Sequence, residues 1–214
     1  MYTLFGAQRS GSAAIEAALA IVGAEHRLVE AASWLPGPGL DELKQVNPLA
    51  QIPTLVLPDG SIMTESAAIL IHLGLQFPGS GLLPTAAAAR AQALRGLVYV
   101  AANCYAAIGI IDYPERWHAD PDEQTGERIK AGATERLHHL WDVFAETFPA
   151  RPFLSGAQAG ALDLLAAVVS RWSGARAHLA QSRPDFGLLL ARIENEPRVA
   201  HVFARHWPAS PQPF

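Results

Sequence analysis

Two short segments of the chain decide its fold: NPLAQIPTL at residues 47–55 and TESAAI at residues 64–69. Pro53 in the first segment cannot donate a backbone hydrogen bond, so it is excluded from the middle of a central strand. It therefore marks the point where a strand over residues 54–57 begins. Because such a turn is a place for a cis peptide bond, we predict that the Ile52–Pro53 bond is cis.

A tight hairpin and a helix start follow this strand. The PDGS sequence at residues 58–61 predicts the turn, since Asp-Gly tolerates the positive φ that a hairpin needs. Residues 61–63 form the short return strand. Glu65 and Ser66 then open a helix over residues 66–76, and the exposed N–H groups and the dipole at its start attract a carboxylate.

The preceding residues complete an α/β pattern. A β-α-β unit implies two parallel strands with a right-handed crossover. The resulting order β-α-β-α-β-β-α is that of a thioredoxin-like domain, which we place at residues 1–76. The further predicted elements are a strand at 2–5, a helix at 12–22 ended by Gly23, a strand at 26–30 and a helix at 40–46.

The second half of the chain shows no convincing strand pattern. Residues 77–85 are rich in Gly and Pro and are interpreted as a linker. Residues 86–214 are predicted to form an all-helical domain. Its predicted helices span residues 86–112, 122–148, 161–173, 185–195 and 198–205.

Composition narrows the function classes. The 214 residues suit two small domains, and the net charge of −4 disfavours nucleic acid and anionic membrane surfaces as partners. The single cysteine, Cys104, excludes an internal disulfide and fits a reducing cytosol. We find no signal peptide, and the most apolar run, residues 94–111, is interrupted by small and polar residues. We therefore expect a cytoplasmic protein without a membrane span.

Taken together, the ordered motifs resemble the glutathione S-transferase superfamily. The series N-P-x-x-x-[IV]-P-x-L, a D-G hairpin and E-S-x-A-I is typical of its N-terminal domain. Residues 2–6 and 12–23 are similar to its first strand and first helix. Residues 151–156 with Asp163 resemble a helix entry in its second domain, so the resemblance covers residues 1–175. It implies glutathione as co-substrate and a homodimer.

The resemblance also assigns a glutathione site. Backbone groups of Ile52 would pair with the cysteinyl part of the peptide, as an added strand, with Pro53 keeping that edge open. Glu65 and Ser66 would bind the γ-glutamyl end, and Gln51 would lie near the glycine carboxylate. The alternative for Glu65 and Ser66 is a helix cap without a ligand.

The loop after the first strand, AQRSGS at residues 7–12, would activate the thiol. It contains no cysteine, so it cannot form a mixed disulfide with glutathione. In the serine and tyrosine classes a hydroxyl hydrogen-bonds the sulfur and favours the thiolate. Ser10 is our first candidate and Ser12 the second, with Arg9 as an electrostatic stabiliser. The alternative is that both serines only cap the following helix.

Three aromatic residues on or after the first long helix of the second domain would face an electrophile pocket: Tyr105, Tyr113 and Trp117. Helix packing or dimer contact is the alternative for each. Cys104 lies in the same apolar helix and is expected to be an inert packing residue.

Other polar residues are given structural roles. Asp163 resembles a buried helix-capping aspartate, but Gly160 leaves the reciprocal capping box incomplete. No metal site is predicted: a cluster of His138, His139 and Asp142 is interpreted as a solvated helix surface. We interpret His201 and His206 in the same way.

The resulting hypothesis is a glutathione transferase, in which the thiolate attacks a small hydrophobic electrophile. Two alternatives stay open. One is a glutathione-dependent isomerase, dehalogenase or lyase on the same scaffold. The other is a module that binds glutathione or protein and has lost its activity.

Overall fold

The computed structural model describes residues 1–32, 34–120 and 122–208. Within these ranges, four strands form one sheet in the order β2-β1-β3-β4. Strand β1 runs parallel to β2 and antiparallel to β3, and β4 returns antiparallel to β3, as the hairpin sequence predicts. The strands are β1 at Tyr2–Gly6, β2 at His26–Glu30, β3 at Thr54–Val56 and β4 at Ile62–Met63.

Helices cover both faces of this sheet. Because side chains alternate along β1, Leu4 faces the main core, whereas Phe5 packs with Leu43 of α2 in a small second core. Helix α1 ends at Gly23, whose φ of 65° is the left-handed cap expected for this glycine. The N-terminal domain is thus thioredoxin-like, as predicted. Its helices are α1 at Ser12–Val22, α2 at Pro38–Val46 and α3 at Ser66–Gln76.

From residue 87 onward, the described regular elements are all helical, in agreement with the predicted fold class. They are α4 at Ala87–Tyr99, a π-helical segment at Val100–Tyr105, α5 at Ala106–Asp112, a 3₁₀ turn at Pro114–Trp117, α6 at Glu123–Thr147, α7 at Ala161–Val169, α8 at Ala175–Ser182, α9 at Pro184–Glu194 and α10 at Ala200–His206. The predicted C-terminal domain extends to residue 214, and residues 209–214 lie outside the described part.

Two helix predictions in this region are wrong. The helix predicted over 161–173 ends at Val169, because Ser173 and Gly174 both adopt positive φ and redirect the chain. A separate helix, Ala175–Ser182, follows and was missed. The last helix begins at Ala200 rather than at 198, after a turn in which Glu196 binds the backbone and side chain of Arg198.

The helix predicted over 86–112 is continuous but not uniform. It passes from α to π geometry at Val100 and back at Ala106. Together, Ala87–Asp112 are long and apolar enough to cross a membrane, with a mean hydropathy of 1.5, despite the interruptions noted in the sequence. This is weak evidence for a span, since a core helix of a soluble protein meets the same criterion.

Helix α7 lies at the centre of the molecule. All of its residues are buried, and it contacts α1, α4 and α9. Asp163 fixes its start by accepting hydrogen bonds from the backbone N–H groups of Leu154, Ser155 and Gly160, at 2.8, 2.9 and 3.0 Å. Gly160 has no side chain to return a bond, so only half of a capping box exists, as predicted.

Candidate functional site

The loop between β1 and α1 contains a closed group of hydroxyls. The Oγ atoms of Ser10 and Ser12 lie 2.8 Å apart and are 7% and 2% exposed. Both hydroxyls reach the carbonyl oxygen of Ala7, at 2.8 and 3.2 Å, and both accept from its N–H group. Ser10 also accepts a hydrogen bond from the N–H of Ser12, the first residue of α1, but the N-cap residue is Gly11 and this helix has no side-chain capping bond.

This geometry gives Ser10 a proton that can be redirected. The hydroxyl protons of Ser10 and Ser12 have two acceptors between them: the carbonyl oxygen of Ala7 and the oxygen of the other serine. If Ser12 donates to Ala7, that carbonyl stays satisfied and the proton of Ser10 is free for another acceptor. Ser10 is thus able both to accept from the N–H of Ser12 and to donate to a ligand.

Arg9, the third residue predicted in this loop, is exposed and adopts a φ of 59°. A non-glycine residue in this region costs on the order of 1 kcal/mol and is often found at functional sites. Among the described residues Arg9 makes no ion pair, so its charge is not neutralised by a neighbouring carboxylate.

The turn before β3 is built as the sequence predicts. The Ile52–Pro53 bond is cis, and this prediction is confirmed. Buried Asn47 and Thr54 fix the turn by donating to the carbonyl of Gln51, at 3.2 and 2.7 Å, while the side chain of Gln51 is exposed.

The backbone of Ile52 is left open at the sheet edge. Pairing of β3 with β1 begins only at Thr54, and the N–H and C=O groups of Ile52 have no partner among the residues described. Unpaired backbone groups beside a strand are suited to an added peptide segment.

The start of α3 also has no side-chain capping bond. Glu65 is its N-cap residue, with a φ of 63°, and its exposed side chain makes no capping bond. The side chain of Ser66 has no hydrogen-bond partner within the described ranges. The simple cap predicted as the alternative for Glu65 is therefore absent, and the first N–H groups of the helix are available to an anion.

The three predicted pocket aromatics do not come together. Tyr105 lies in the interior with its ring 5.6 Å from that of Trp172, and its hydroxyl faces the loop at Gly11. Tyr113 and Trp117 are 41% and 61% exposed, and Tyr113 is covered by the guanidinium of Arg116.

Two cavities in the helical region, of about 350 and 250 Å³, are lined by none of the predicted site residues. The specific hydrogen-bond donors and acceptors of the candidate site are instead the backbone groups around Ile52 and at the start of α3. Cys104 is fully buried, and burial raises the pKa of its thiol to about 12, which fits an inert residue.

The interpretation of His206 as a surface residue is wrong. It is 2% exposed, and its Nε2 lies 3.0 Å from a carboxylate oxygen of Glu16, which also pairs with Arg205. The Nδ1 atom has no partner within the described residues. Sequence reasoning missed this cluster because Glu16 and His206 are far apart in the chain and sit in weakly patterned helices.

The predicted solvated surface at His138, His139 and Asp142 holds for exposed His139 only, because His138 and Asp142 are partly buried against α8 and the residues before it. His138 stacks on His178, with ring centroids 4.5 Å apart, and His178 pairs with Asp142 at 2.9 Å. Among the described residues no group of three or more suitable side chains is arranged to hold a metal ion.

A thioredoxin-like domain followed by a helical region defines the class of the protein, and known proteins are similar to it in sequence and in fold. Residues 12–76 match the family model for the glutathione S-transferase N-terminal domain. The chain is 27% identical to an uncharacterized GST-like protein of Escherichia coli K12, YncG, over 96% of this chain and 98% of that protein.

Solved structures share the whole architecture. A glutathione transferase homologue from Sulfitobacter with bound glutathione has a TM-score of 0.83 and 22% identity, covering 96% of this chain and 98% of that one. A sphingomonad glutathione S-transferase complexed with glutathione has a TM-score of 0.76 and 23% identity, covering 97% and 100%. The N-terminal domain thus matches the glutathione S-transferase family model, and the whole chain has the fold of these transferases, in agreement with the predicted resemblance.

Proposed function

We propose that the protein is a glutathione transferase that joins the thiolate of glutathione to a small hydrophobic electrophile. The observation that carries this proposal is the pair of open backbone sites, at Ile52 and at the start of α3. A short extended peptide with a charged end needs both: strand pairing along its backbone and N–H groups for its carboxylate. Glutathione bound to relatives supports this choice of ligand.

Each part of glutathione then has a partner. Its cysteinyl backbone pairs with Ile52 beside Pro53. The γ-glutamyl carboxylate meets Ser66 and the N-terminal N–H groups of α3, while Glu65 pairs with the ammonium. Exposed Gln51 is placed to contact the glycine end.

Ser10 activates the sulfur in this proposal. The thiol loses its proton to solvent, and the hydroxyl of Ser10 hydrogen-bonds the thiolate while Ser12 holds the carbonyl of Ala7. Exposed Arg9 adds positive potential. The thiolate then attacks an electrophilic carbon: a sulfur–carbon bond forms, and the leaving group departs with its electron pair. Positioning of both reactants supplies much of the rate.

The electrophile would lie against the helical region, near Tyr105. Exposed Tyr113 and Trp117 would lie at the solvent side of this electrophile site. We propose residues 77–85 as the linker between the two domains and a homodimer as the working form. Light scattering in solution tests the dimer.

The decisive experiment measures glutathione binding by calorimetry and turnover of a generic aryl halide with glutathione. Binding together with conjugate formation supports the transferase. Binding without conjugation of any electrophile tested would instead favour a non-catalytic module. Turnover of an isomerisation or reductive dehalogenation substrate alone would favour the other enzymatic alternative.

A further inference from the structure

The hydroxyl of Tyr105 reaches from the helical region to the loop before α1. A methyl group placed on Gly11 would lie 2.4 Å from this oxygen and 3.5 Å from Cδ of Pro53. The hydroxyl therefore lies against Gly11 at the start of α1, and Gly11 also lies close to the proline that follows Ile52. In the proposed binding mode, the cysteinyl part of glutathione pairs with Ile52, the residue before this proline.

This hydroxyl has no hydrogen-bond partner within the described residues, although its ring is packed against Trp172. Tyr99, six residues earlier in the same long helix, donates to the carbonyl of Leu140 at 2.9 Å. The Tyr105 oxygen is not one of the buried side-chain atoms that lack a partner, so solvent or a ligand can reach it and its proton is available to an acceptor beside Gly11.

The electrostatic surroundings keep this phenol protonated. Burial raises the pKa of Tyr105 to about 12, and the carboxylates of Asp112 and Glu65 act in the same direction. Near neutral pH the group is therefore a hydrogen-bond donor and not a phenolate.

The π-helical segment explains how Tyr105 reaches the loop. It spans Val100–Tyr105, so Tyr105 is the last residue of the wider turn before α geometry resumes at Ala106. A π turn rotates the residues that follow it relative to the preceding helix, and such turns are frequent at functional sites.

We propose that the Tyr105 hydroxyl donates a hydrogen bond to the sulfur of bound glutathione, as a catalytic residue contributed by the helical region. This rests on the proposed function. Two hydroxyls would then meet the thiolate: Ser10 from the loop, and Tyr105 from the opposite side.

The test compares Tyr105→Phe with wild type and with Tyr99→Phe, which removes a phenol oxygen from the same helix away from the loop. The thiol pKa is read from the ultraviolet absorbance of the bound thiolate during a pH titration. We expect Tyr105→Phe to raise this pKa by about 1 and to lower turnover about tenfold, with glutathione affinity nearly unchanged. Tyr99→Phe should leave the thiol pKa unchanged.

A double-mutant cycle with Gly11→Ala checks the geometry independently. Gly11 has a φ of −61°, so alanine is compatible with the backbone, but its methyl would collide with the Tyr105 oxygen. Gly11→Ala should therefore reduce thermal stability in wild type and have little effect in the Tyr105→Phe background.

The outcomes separate the two hypotheses. If wild type binds glutathione and Tyr105→Phe leaves the thiol pKa unchanged, the assignment of Tyr105 is wrong, whether or not turnover falls. Equal effects of Gly11→Ala in both backgrounds would contradict the contact itself. If wild type binds no glutathione, the proposed function is wrong and the role of Tyr105 fails with it.

Discussion

At the scale of single residues, the candidate site depends on groups that the fold leaves without partners. Ile52 offers a free backbone, while Glu65 and Ser66 offer side chains free of capping bonds. Such groups are unfavourable in an otherwise satisfied protein unless water or a ligand completes them. Their common location at one end of the sheet is what the proposed binding mode uses.

Removing the contacts to the γ-glutamyl end should weaken glutathione binding. A hydrogen bond to a charged group contributes roughly 1.5–3 kcal/mol, so Glu65→Ala or Ser66→Ala should raise the dissociation constant at least about tenfold. Calorimetry measures this directly. Glu135→Ala, at an exposed position on α6, is the matched control and should bind like wild type. Unchanged affinity in both site variants would exclude the assignment.

The two loop serines should have separable effects. Ser10→Ala should raise the thiol pKa of bound glutathione and lower turnover, because it removes a donor to the thiolate. Ser12→Ala should mainly lower stability, by about 1 kcal/mol, since its hydroxyl bonds only within the loop. A pH–rate profile and a urea titration of each variant distinguish the roles. If only Ser12→Ala or Arg9→Ala shifts the profile, Ser10 is the wrong residue.

At the scale of elements, the start of α7 is the most sensitive point. Asp163→Ala would leave three N–H groups without their acceptor, one buried at Gly160 and two partly buried at Leu154 and Ser155, and a buried one costs about 1–3 kcal/mol. We expect a loss of at least about 3 kcal/mol in the free energy of unfolding, measured by urea denaturation. Asp185→Ala, at an exposed position in the first turn of α9, should cost less than about 1 kcal/mol. A similar loss in both variants would argue against the capping role.

Elements with local signals were predictable, and elements set by distant contacts were not. The hairpin at residues 58–61 and the end of α1 at Gly23 are each determined by the conformational preferences of a few adjacent residues. The break between α7 and α8 depends on Ser173, which adopts a φ of 54° without being a glycine. The π segment likewise has no marker in the sequence, so the direction of Tyr105 could not be predicted.

At the scale of the whole molecule, one buried ionic cluster joins the two ends of the chain. Glu16 on α1 pairs with Arg205 and His206 on α10, and Gln8 in the loop between β1 and α1 donates to the carbonyl of Arg205 at 3.3 Å. The residue types gave no hint of this contact, because it depends on how the last helix packs. It connects the end of the helical region to the loop that carries Ser10.

This cluster should make stability depend on pH. Burial, helped by Arg205 and opposed by Glu30, lowers the pKa of His206 to about 4. Because the Nε2 side faces Glu16, a second proton would go to Nδ1, which has no acceptor among the described residues. The unfolded chain therefore binds more protons than the folded one between about pH 4 and the ordinary value near 6.5.

The stabilising effect of neutral His206 is complete above about pH 6.5 and is lost as the pH falls towards 4, by up to about 3 kcal/mol. Urea titrations at several pH values measure this loss. His206→Gln should reduce the dependence in this window, and His201→Gln, at an exposed position, should not change it. An identical dependence in wild type and His206→Gln would contradict the lowered pKa.

The position of α1 has a consequence for engineering. Its buried face belongs to the same hydrophobic core as α3, α7 and α10, and its Glu16 pairs with the guanidinium of Arg205 on the last helix. Residues 1–76 are therefore not an exchangeable module. A chimera that takes residues 1–76 from this chain and the remainder from a relative would succeed only where the donor of the second half also supplies a matching cation and a matching apolar surface. Recombination within this superfamily should accordingly favour breakpoints that keep the first and last helices from the same parent.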